Sequence, residues 1–300
     1  MTLRLRYRPP YDWESMLGYL RARAIPGVEV VENGSYLRTV ESEGFIGSVE
    51  VTHLPRLQSL SITIRFPDVR ALPAIVTKVR RLFDVGADIE TIDAHLSLDP
   101  RLAPLVAQHP GLRAPGGWDG FELAVRAILG QQVSVSAACR LAEQLVANHG
   151  TPVSRDYVGH RKLTHVFPMA ERLALTKSVI VGMPVARRSS LKALAEAAAA
   201  DPNLFRPFGT IEEAITRLRT ISGVGEWTAQ YIALRALRET DAFPAADIGL
   251  LRGAAIVDGT KSTSANLLTR AEVWRPWRAY AAQHLWVAGA AATSDLTEHI

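Results

Sequence analysis

Cysteine is nearly absent: Cys139 is the only one in 300 residues. A lone thiol closes no internal disulfide, completes no cysteine-based zinc site and cannot supply the four thiolates of an iron–sulfur cluster. Long apolar runs are missing too. Nothing reaches the ~18 residues a membrane helix needs, and the opening Met1-Thr-Leu-Arg-Leu-Arg-Tyr-Arg8 has no signal core. A soluble intracellular chain is the expectation. Charge of one sign is scarce, with 34 Lys and Arg against 30 Asp and Glu, so the mild basic excess permits a nucleic-acid partner without demanding one. No internal repeat, low-complexity linker or heptad pattern is present.

With 48% apolar residues the chain can bury a large core, and its length exceeds that of one ordinary domain. Up to residue 112 strand and helix signals mix. Leu3, Leu5 and Tyr7 alternate with arginines, and period-2 patterns return over Tyr36–Val40, Phe45–Val51 and Leu60–Phe66, which predicts a mostly antiparallel sheet. Helices are predicted from Asp12, an N-cap, through Ala24, and over Ala71–Val85 with Gly86 as the stop. Residues 1–112 therefore read as an α+β domain. From Trp118 the texture is helical. Asp119 and Glu122 read as an N-cap and N3 pair, and Phe121, Val125, Ile128 and Leu129 share a face of a helix that pauses at Gly130-Gln131-Gln132. Another helix runs from about Ser134 to His149, and Gly150 stops it. The polar stretch 152–165, with Arg155, His160, Arg161 and Lys162, reads as a surface loop. Helices follow around Met169–Leu175, Arg188–Ala200 and Ile211–Arg238, with a last one from Pro276 to about Ala292. Residues 113–300 are expected to form an all-helical body.

The most informative segment is Leu218-Arg-Thr-Ile221-Ser-Gly223-Val224-Gly225-Glu-Trp227-Thr228-Ala229, followed eighteen residues on by Asp247 in Phe243-Pro-Ala-Ala-Asp247. A helix ending near Arg219 meets a Gly-x-Gly turn, where the missing Cβ atoms let another molecule approach the backbone. A second helix starting at Glu226 or Trp227 points its unpaired amides the same way. Gly223, Gly225, Thr228 and Ala229 are the candidate anion contacts, and the natural anion is a nucleic-acid phosphate. Taken alone, Gly-x-Gly at a helix junction is a plain turn, and Asp247 is explained as the N-cap of a helix over Ile248–Ala255. Capping and chemistry coexist at Asp247, because a helix N-terminus fixes the carboxylate and favours its charged form.

These residues resemble the helix-hairpin-helix DNA glycosylases that carry an aspartate beyond the hairpin, in particular the 3-methyladenine DNA glycosylase II family. The resemblance runs from Pro9–Tyr19 through Phe121–Ser136 and Gly182–Pro184 to Trp274–Trp286, nearly the whole chain. It implies a TATA-binding-protein-like antiparallel sheet domain, then an all-α body of two subdomains containing the hairpin at 211–238. It also implies removal of alkylated purines, 3-methyladenine and 7-methylguanine, from double-stranded DNA in base excision repair. The implied setting is a monomer in the bacterial cytosol or nucleoid, away from membranes. No cofactor is required, but a monovalent cation, Na+ or K+, held by the backbone carbonyls of Arg219, Ile221 and Val224 is implied at the hairpin. Related glycosylases that hold an iron–sulfur cluster set a pattern one cysteine cannot meet.

Within this resemblance Asp247 is the catalytic carboxylate, stabilising an oxocarbenium-like sugar or orienting the attacking water. Trp227, Tyr231, Trp286 and, from the N-terminal domain, Tyr19 line the pocket for a flipped base. Trp227 and Tyr231, four apart on one helix face, can also be plain packing, and Trp286 taken alone reads as core. A cage of such rings favours a cationic purine by stacking and cation–π attraction. Bifunctional members place a Schiff-base lysine just before Thr-Ala, where this chain has Trp227, so lyase activity is not expected. Gln132 takes the place of the wedge that fills the gap in the duplex. Arg187 and Arg188 are candidates for a backbone phosphate. Trp277, Tyr280, His284 and Val287 recur at helical spacing and read as core, and His284 has no cluster to make it a metal ligand. Val287 stands where the best-known members have an aromatic, which implies a wider pocket. Two other readings stay open: a glycosylase for deaminated, etheno or oxidised purines, and a non-catalytic DNA-binding protein in which the hairpin is only a clamp.

Overall fold

The computed structural model describes residues 1–154, 158–176, 183–207 and 209–297, with side chains through residue 290. Arg155 and Gly182, singled out above, lie outside the described residues. Five strands, β1 (Thr2–Arg6), β2 (Glu29–Glu32), β3 (Ser35–Ser42), β4 (Phe45–Leu54) and β5 (Ser59–Arg65), form one antiparallel sheet in the order β1-β5-β4-β3-β2. Leu5 pairs with Leu60, and Val49 and Val51 pair with Ile64 and Ile62. These apolar positions are buried together with Met16, Leu17 and Leu20 of α1 (Trp13–Arg23) and Ile75, Val79 and Leu82 of α2 (Leu72–Leu82). Asp12 caps α1 as expected, accepting the Ser15 amide at 3.0 Å. The second helix stops before Gly86. Asp84 adopts φ +50°, and its buried carboxylate accepts from Arg238 at 2.6 Å and from the Tyr280 hydroxyl at 2.9 Å.

Two helices that the pattern did not announce, α3 (Ile89–Leu96) and α4 (Ala103–Gln108), place Ile89, Ile92, Leu96 and Val106 in the core of the helical body, although they precede residue 112. That core also gathers α5 (Gly120–Leu129), α6 (Val135–His149), α7 (Ala170–Ala174), α8 (Val185–Ala200), α9 (Ile211–Arg219), α10 (Glu226–Ile232), α11 (Ile248–Asp258), α12 (Ser264–Arg270) and α13 (Arg278–Thr297). Asp119 caps α5 through the amides of Phe121 and Glu122, but Glu122 does not complete the expected pair. It turns inward, binding Arg38 at 2.8 Å and Arg126 at 2.6 Å, while Arg126 also reaches Glu29 at 2.5 Å. Burial pushes the Glu122 carboxyl up, and the guanidiniums of Arg38 and Arg126 outweigh it, holding the group at about 2. These buried charges join β2 and β3 to α5.

The polar stretch 152–165 is less free than a surface loop. Thr151–Pro152 pairs with His165–Val166, Val158 and Leu163 are buried with Val30 and Leu37, and His160 and Lys162 bond Glu32. The last helix begins at Arg278 rather than Pro276. The Trp277 amide closes a turn on the Trp274 carbonyl at 2.8 Å, and Arg278 is held by Asp241 at 2.8 Å. Among the described residues no helix is long and apolar enough to cross a membrane.

Candidate active site and nucleic-acid interface

Helix α9 opens with a reciprocal cap between Thr210 and Glu213, and the turn after Arg219 closes through the Val224 amide on the Ile221 carbonyl at 3.0 Å, with Leu218 and Ile221 buried. The two glycines serve different ends. Gly223 has φ +85°, and a Cβ there would lie 1.9 Å from Ser190 Oγ, so its lack of a side chain seats the hairpin on α8. Gly225 is exposed and has open space where a Cβ would go. The Thr228 and Ala229 side chains are buried, which leaves only backbone amides for the expected phosphate contacts. Thr228 Oγ1 accepts from Gln131 Nε2 at 3.0 Å, and the Ala229 amide is spent on the Gly225 carbonyl at 2.9 Å. The first-turn amides of Glu226, Trp227 and Thr228 are the ones a helix leaves unpaired. Glu226, at the mouth, forms an ion pair with Arg219 at 3.0 Å, which offsets its charge.

Between α5 and α6, Gln132 is exposed with φ +57°. Its neighbour Gln131 donates from Nε2 to the Gly223 carbonyl as well as to Thr228, both at 3.0 Å, and so ties this loop to the hairpin. Arg187 donates to the Gln131 carbonyl at 2.5 Å. It braces the loop through that bond.

The second hairpin helix does not run as α-helix to Arg238. From Ala233 to Leu237 it widens into a π-helical turn that ends at Arg238 with φ +67°. Carbonyls of that turn bond elsewhere: Arg235 accepts the Gly117 amide at 2.7 Å and Ala236 accepts Arg81 Nη2 at 2.6 Å. Upstream, Trp227 and Tyr231 stack with centroids 5.6 Å apart and planes at 18°, and Tyr231 meets Trp286 edge-on at 6.3 Å. The Tyr19 and Tyr231 hydroxyls lie 3.3 Å apart. Asp247 caps α11, with Oδ1 accepting the Leu250 amide at 3.0 Å and the Trp286 indole at 2.8 Å, and Oδ2 accepting the Trp227 indole at 2.8 Å. The expected carboxylate and all four expected pocket rings thus stand in one half-buried cluster, and Asp247 is a cap and an indole-fixed anion at once.

Sequence reasoning missed the cations of this cluster. The Arg235 guanidinium lies 4.7 Å from the Tyr19 ring centroid, 4.8 Å from Trp286 and 5.8 Å from Tyr231, while that of Arg23 is 4.2 Å from Tyr19. Each arginine follows a pocket tyrosine by four residues on one helix, a same-face spacing visible in the chain. Burial pushes the Tyr19 phenol up, but Arg235, Arg23 and the Tyr231 hydrogen bond outweigh it, so the phenol is lowered overall. Burial, reinforced by Tyr19, pushes the Tyr231 hydroxyl up to about 12. A resident guanidinium therefore already lies against three of the rings, which works against the cation–π attraction expected for a cationic base.

Residues 2–119 match the AlkA N-terminal domain, and residues 125–279 match the HhH-GPD superfamily base excision DNA repair protein model. The chain belongs to the HhH-GPD superfamily of base excision DNA repair proteins. This HhH-GPD chain is 34% identical over 289 residues to DNA-3-methyladenine glycosylase 2 of Escherichia coli, covering 94% of itself and 95% of that protein. It is 41% identical over 287 residues to a Mycobacterium tuberculosis protein named probable bifunctional transcriptional activator/DNA repair enzyme AlkA, covering 95% of itself. It spans only 56% of the length of that relative. In fold it matches the 3-methyladenine DNA-glycosylase from Archaeoglobus fulgidus with a TM-score of 0.82 at 22% identity, over 96% of this chain and 98% of that one.

His284 of this HhH-GPD chain is core, as expected. It is buried, both ring nitrogens are without a partner among the described residues, and burial, with a smaller push from His109, holds its imidazole down to about 4. Among the described residues no group of three or more His, Cys, Asp or Glu is placed to hold a metal ion.

Proposed function

We propose that this chain is a monofunctional DNA glycosylase that hydrolyses the N-glycosidic bond of alkylated purines in duplex DNA. The observation that carries the reading is the Asp247 carboxylate, fixed by the Leu250 amide and two indoles beside the rings of Tyr231 and Trp286. The hairpin clamps the DNA backbone: the first-turn amides of α10 meet a phosphate, and the open space over Gly225 admits it. Gln132 enters the base stack, and the flipped nucleotide lies among Trp227, Tyr231, Trp286 and Tyr19. As the bond from C1′ to the base lengthens, positive charge grows on the sugar, and Asp247 stabilises it or orients the attacking water. A purine alkylated at N3 or N7 departs as a neutral base, so no dedicated acid is required. With Trp227 before Thr228-Ala229 no Schiff base forms, and the abasic site is left intact.

The name of the Escherichia coli relative, DNA-3-methyladenine glycosylase 2, supports this substrate class. A monovalent cation at the hairpin fits the turn. The Ile221 carbonyl accepts the Val224 amide and keeps a second lone pair, and no amide of the described residues is bonded to the carbonyls of Arg219 or Val224. Held there, it would add positive charge facing the phosphate. Pocket, wedge and clamp come from one chain, so the unit of action is a monomer working on DNA in the cytosol or nucleoid. The test is chromatography of bases freed from methylated duplex by the purified protein. Free 3-methyladenine and 7-methylguanine are expected, whereas duplex binding with no release would leave only a clamp.

A further inference from the structure

Arg235 carries a charge that the proposed reaction has not yet used. Arg235 is 1% exposed; Nη1 donates to the Pro115 carbonyl at 2.7 Å and Nη2 to Gln283 Oε1 at 2.8 Å, both neutral acceptors, and Nε has no partner among the described residues. Among the described residues no carboxylate pairs with it. A buried cation without a counter-ion is strongly unfavourable, and an apolar residue would pack such a place at no electrostatic cost. What surrounds Arg235 instead is the back of the ring wall: Tyr19, Trp286 and Tyr231. The π-helical turn that carries it is a rare conformation, frequent at functional sites.

Cleavage breaks the bond between C1′ and the base nitrogen. The electron pair leaves with the base, the oxygen of water bonds to C1′, and the proton that water loses passes to solvent. A base alkylated at N3 or N7 begins cationic and departs neutral; a neutral purine such as hypoxanthine departs bearing a negative charge. Asp247 serves the sugar in both cases, and in both the base becomes more negative by one unit as the bond breaks, so a fixed cation on the base side speeds cleavage of either bound base; measured from the free duplex it favours the neutral purine, because the cationic base is first repelled on entering the pocket. We propose that Arg235 is a specificity-determining residue that acts through the rings of Tyr19, Tyr231 and Trp286 to stabilise the negative charge of a departing neutral purine, extending the pocket beyond cationic lesions. This inference rests on the reading of the ring cluster as the base pocket. A base stacked on those rings lies about 8 Å from the guanidinium, where a unit charge at an effective dielectric of ~20 alters a rate by about 30-fold.

The experiment compares the second-order rate constants, at sub-saturating protein, for release of hypoxanthine and of 7-methylguanine from otherwise identical duplexes. Arg235→Gln deletes the charge, and Gln283→Glu keeps Arg235 in place while neutralising it with an isosteric partner, so the second variant carries the test if the first does not fold. In each, hypoxanthine release is expected to fall about 10–30-fold while 7-methylguanine release changes less than about threefold. A merely structural role lowers both rates by the same factor, and that result, or no change in either, overturns the proposal. Wild-type protein that releases 7-methylguanine but no hypoxanthine overturns it as well and leaves the base-pocket reading standing. Release of neither base overturns both.

Discussion

Replacing Asp247 by asparagine separates its two roles. The aspartate accepts three hydrogen bonds, from the Leu250 amide and the Trp286 indole at Oδ1 and from the Trp227 indole at Oδ2. Asparagine keeps one acceptor oxygen. Placed at the Oδ1 position it retains the Leu250 and Trp286 bonds, so α11 stays capped, and its NH2 then faces Trp227 Nε1 across a separation of 2.8 Å, donor against donor. One such unmade bond costs about 1–3 kcal/mol. In a chain of this size about 1 kcal/mol moves Tm by roughly 2–4 °C, so the variant is expected to melt several degrees lower and remain folded. The rate falls on another scale, about 10²–10³-fold, because a fixed charge beside the developing sugar cation is gone. Single-turnover release of 7-methylguanine, with melting and abasic-duplex affinity measured on the same preparation, reads all three. Release at the wild-type rate refutes the catalytic assignment; collapse of the fold would make the cap its main role.

Gly225→Val is expected to fold normally, since its φ of −83° is ordinary and the Cβ site is open, yet to bind abasic-site duplex about tenfold more weakly, a loss near 1.4 kcal/mol; unaltered affinity by fluorescence anisotropy removes the hairpin from the interface. Borohydride should trap no covalent complex with damaged DNA, and strand breaks should appear only after alkali or heat; efficient trapping at neutral pH contradicts the monofunctional reading. Burial lowers the His284 imidazole from 6.5 to about 4, so as pH falls the unfolded chain takes up a proton that the folded one refuses. That contribution to stability is full above pH 6.5 and is lost as pH falls towards 4, about 3 kcal/mol in all. Denaturant titrations at neutral and acid pH should show this slope, and a His284→Leu variant with the same slope refutes the assignment.

Local rules were readable where local chemistry decides. The alternation of β1, β3, β4 and β5, the caps at Asp12 and Asp119 and the break after Leu129 follow from period and hydrogen-bonding capacity. The segment Glu29-Val-Val-Glu32 shows no alternation, and Pro104 reads as a breaker although it sits in the first turn of α4, so β2 and α4 went unannounced. Glu122 suited a cap by position, but the partner that claims it, Arg38, is 84 residues away. Asp247, Trp227, Tyr231, Trp286 and Tyr19 were identifiable because the family resemblance places them along the chain. Arg235 stood at a visible four-residue spacing from Tyr231, but its aim depends on a π-helical turn whose carbonyls are claimed by Gly117 and Arg81. The hairpin motif marked Thr228 and Ala229 without telling which atoms remain free, which only the packing decides.

The contact between the Tyr19 and Tyr231 hydroxyls spans 212 residues of chain, and the indole of Trp286 lies further on still. A ribosome extends the chain at about 5–20 residues per second, and N-terminal units generally fold first. The sheet and its helices therefore emerge well before α10 exists, with Tyr19 still lacking its partners and Glu29 and Arg38 waiting for α5. A product that ends between the hairpin and α13 lacks Trp286, and with it one of the two indoles that fix the Asp247 carboxylate. On the proposed function, the pocket that holds Asp247 is completed only once residue 286 has been made.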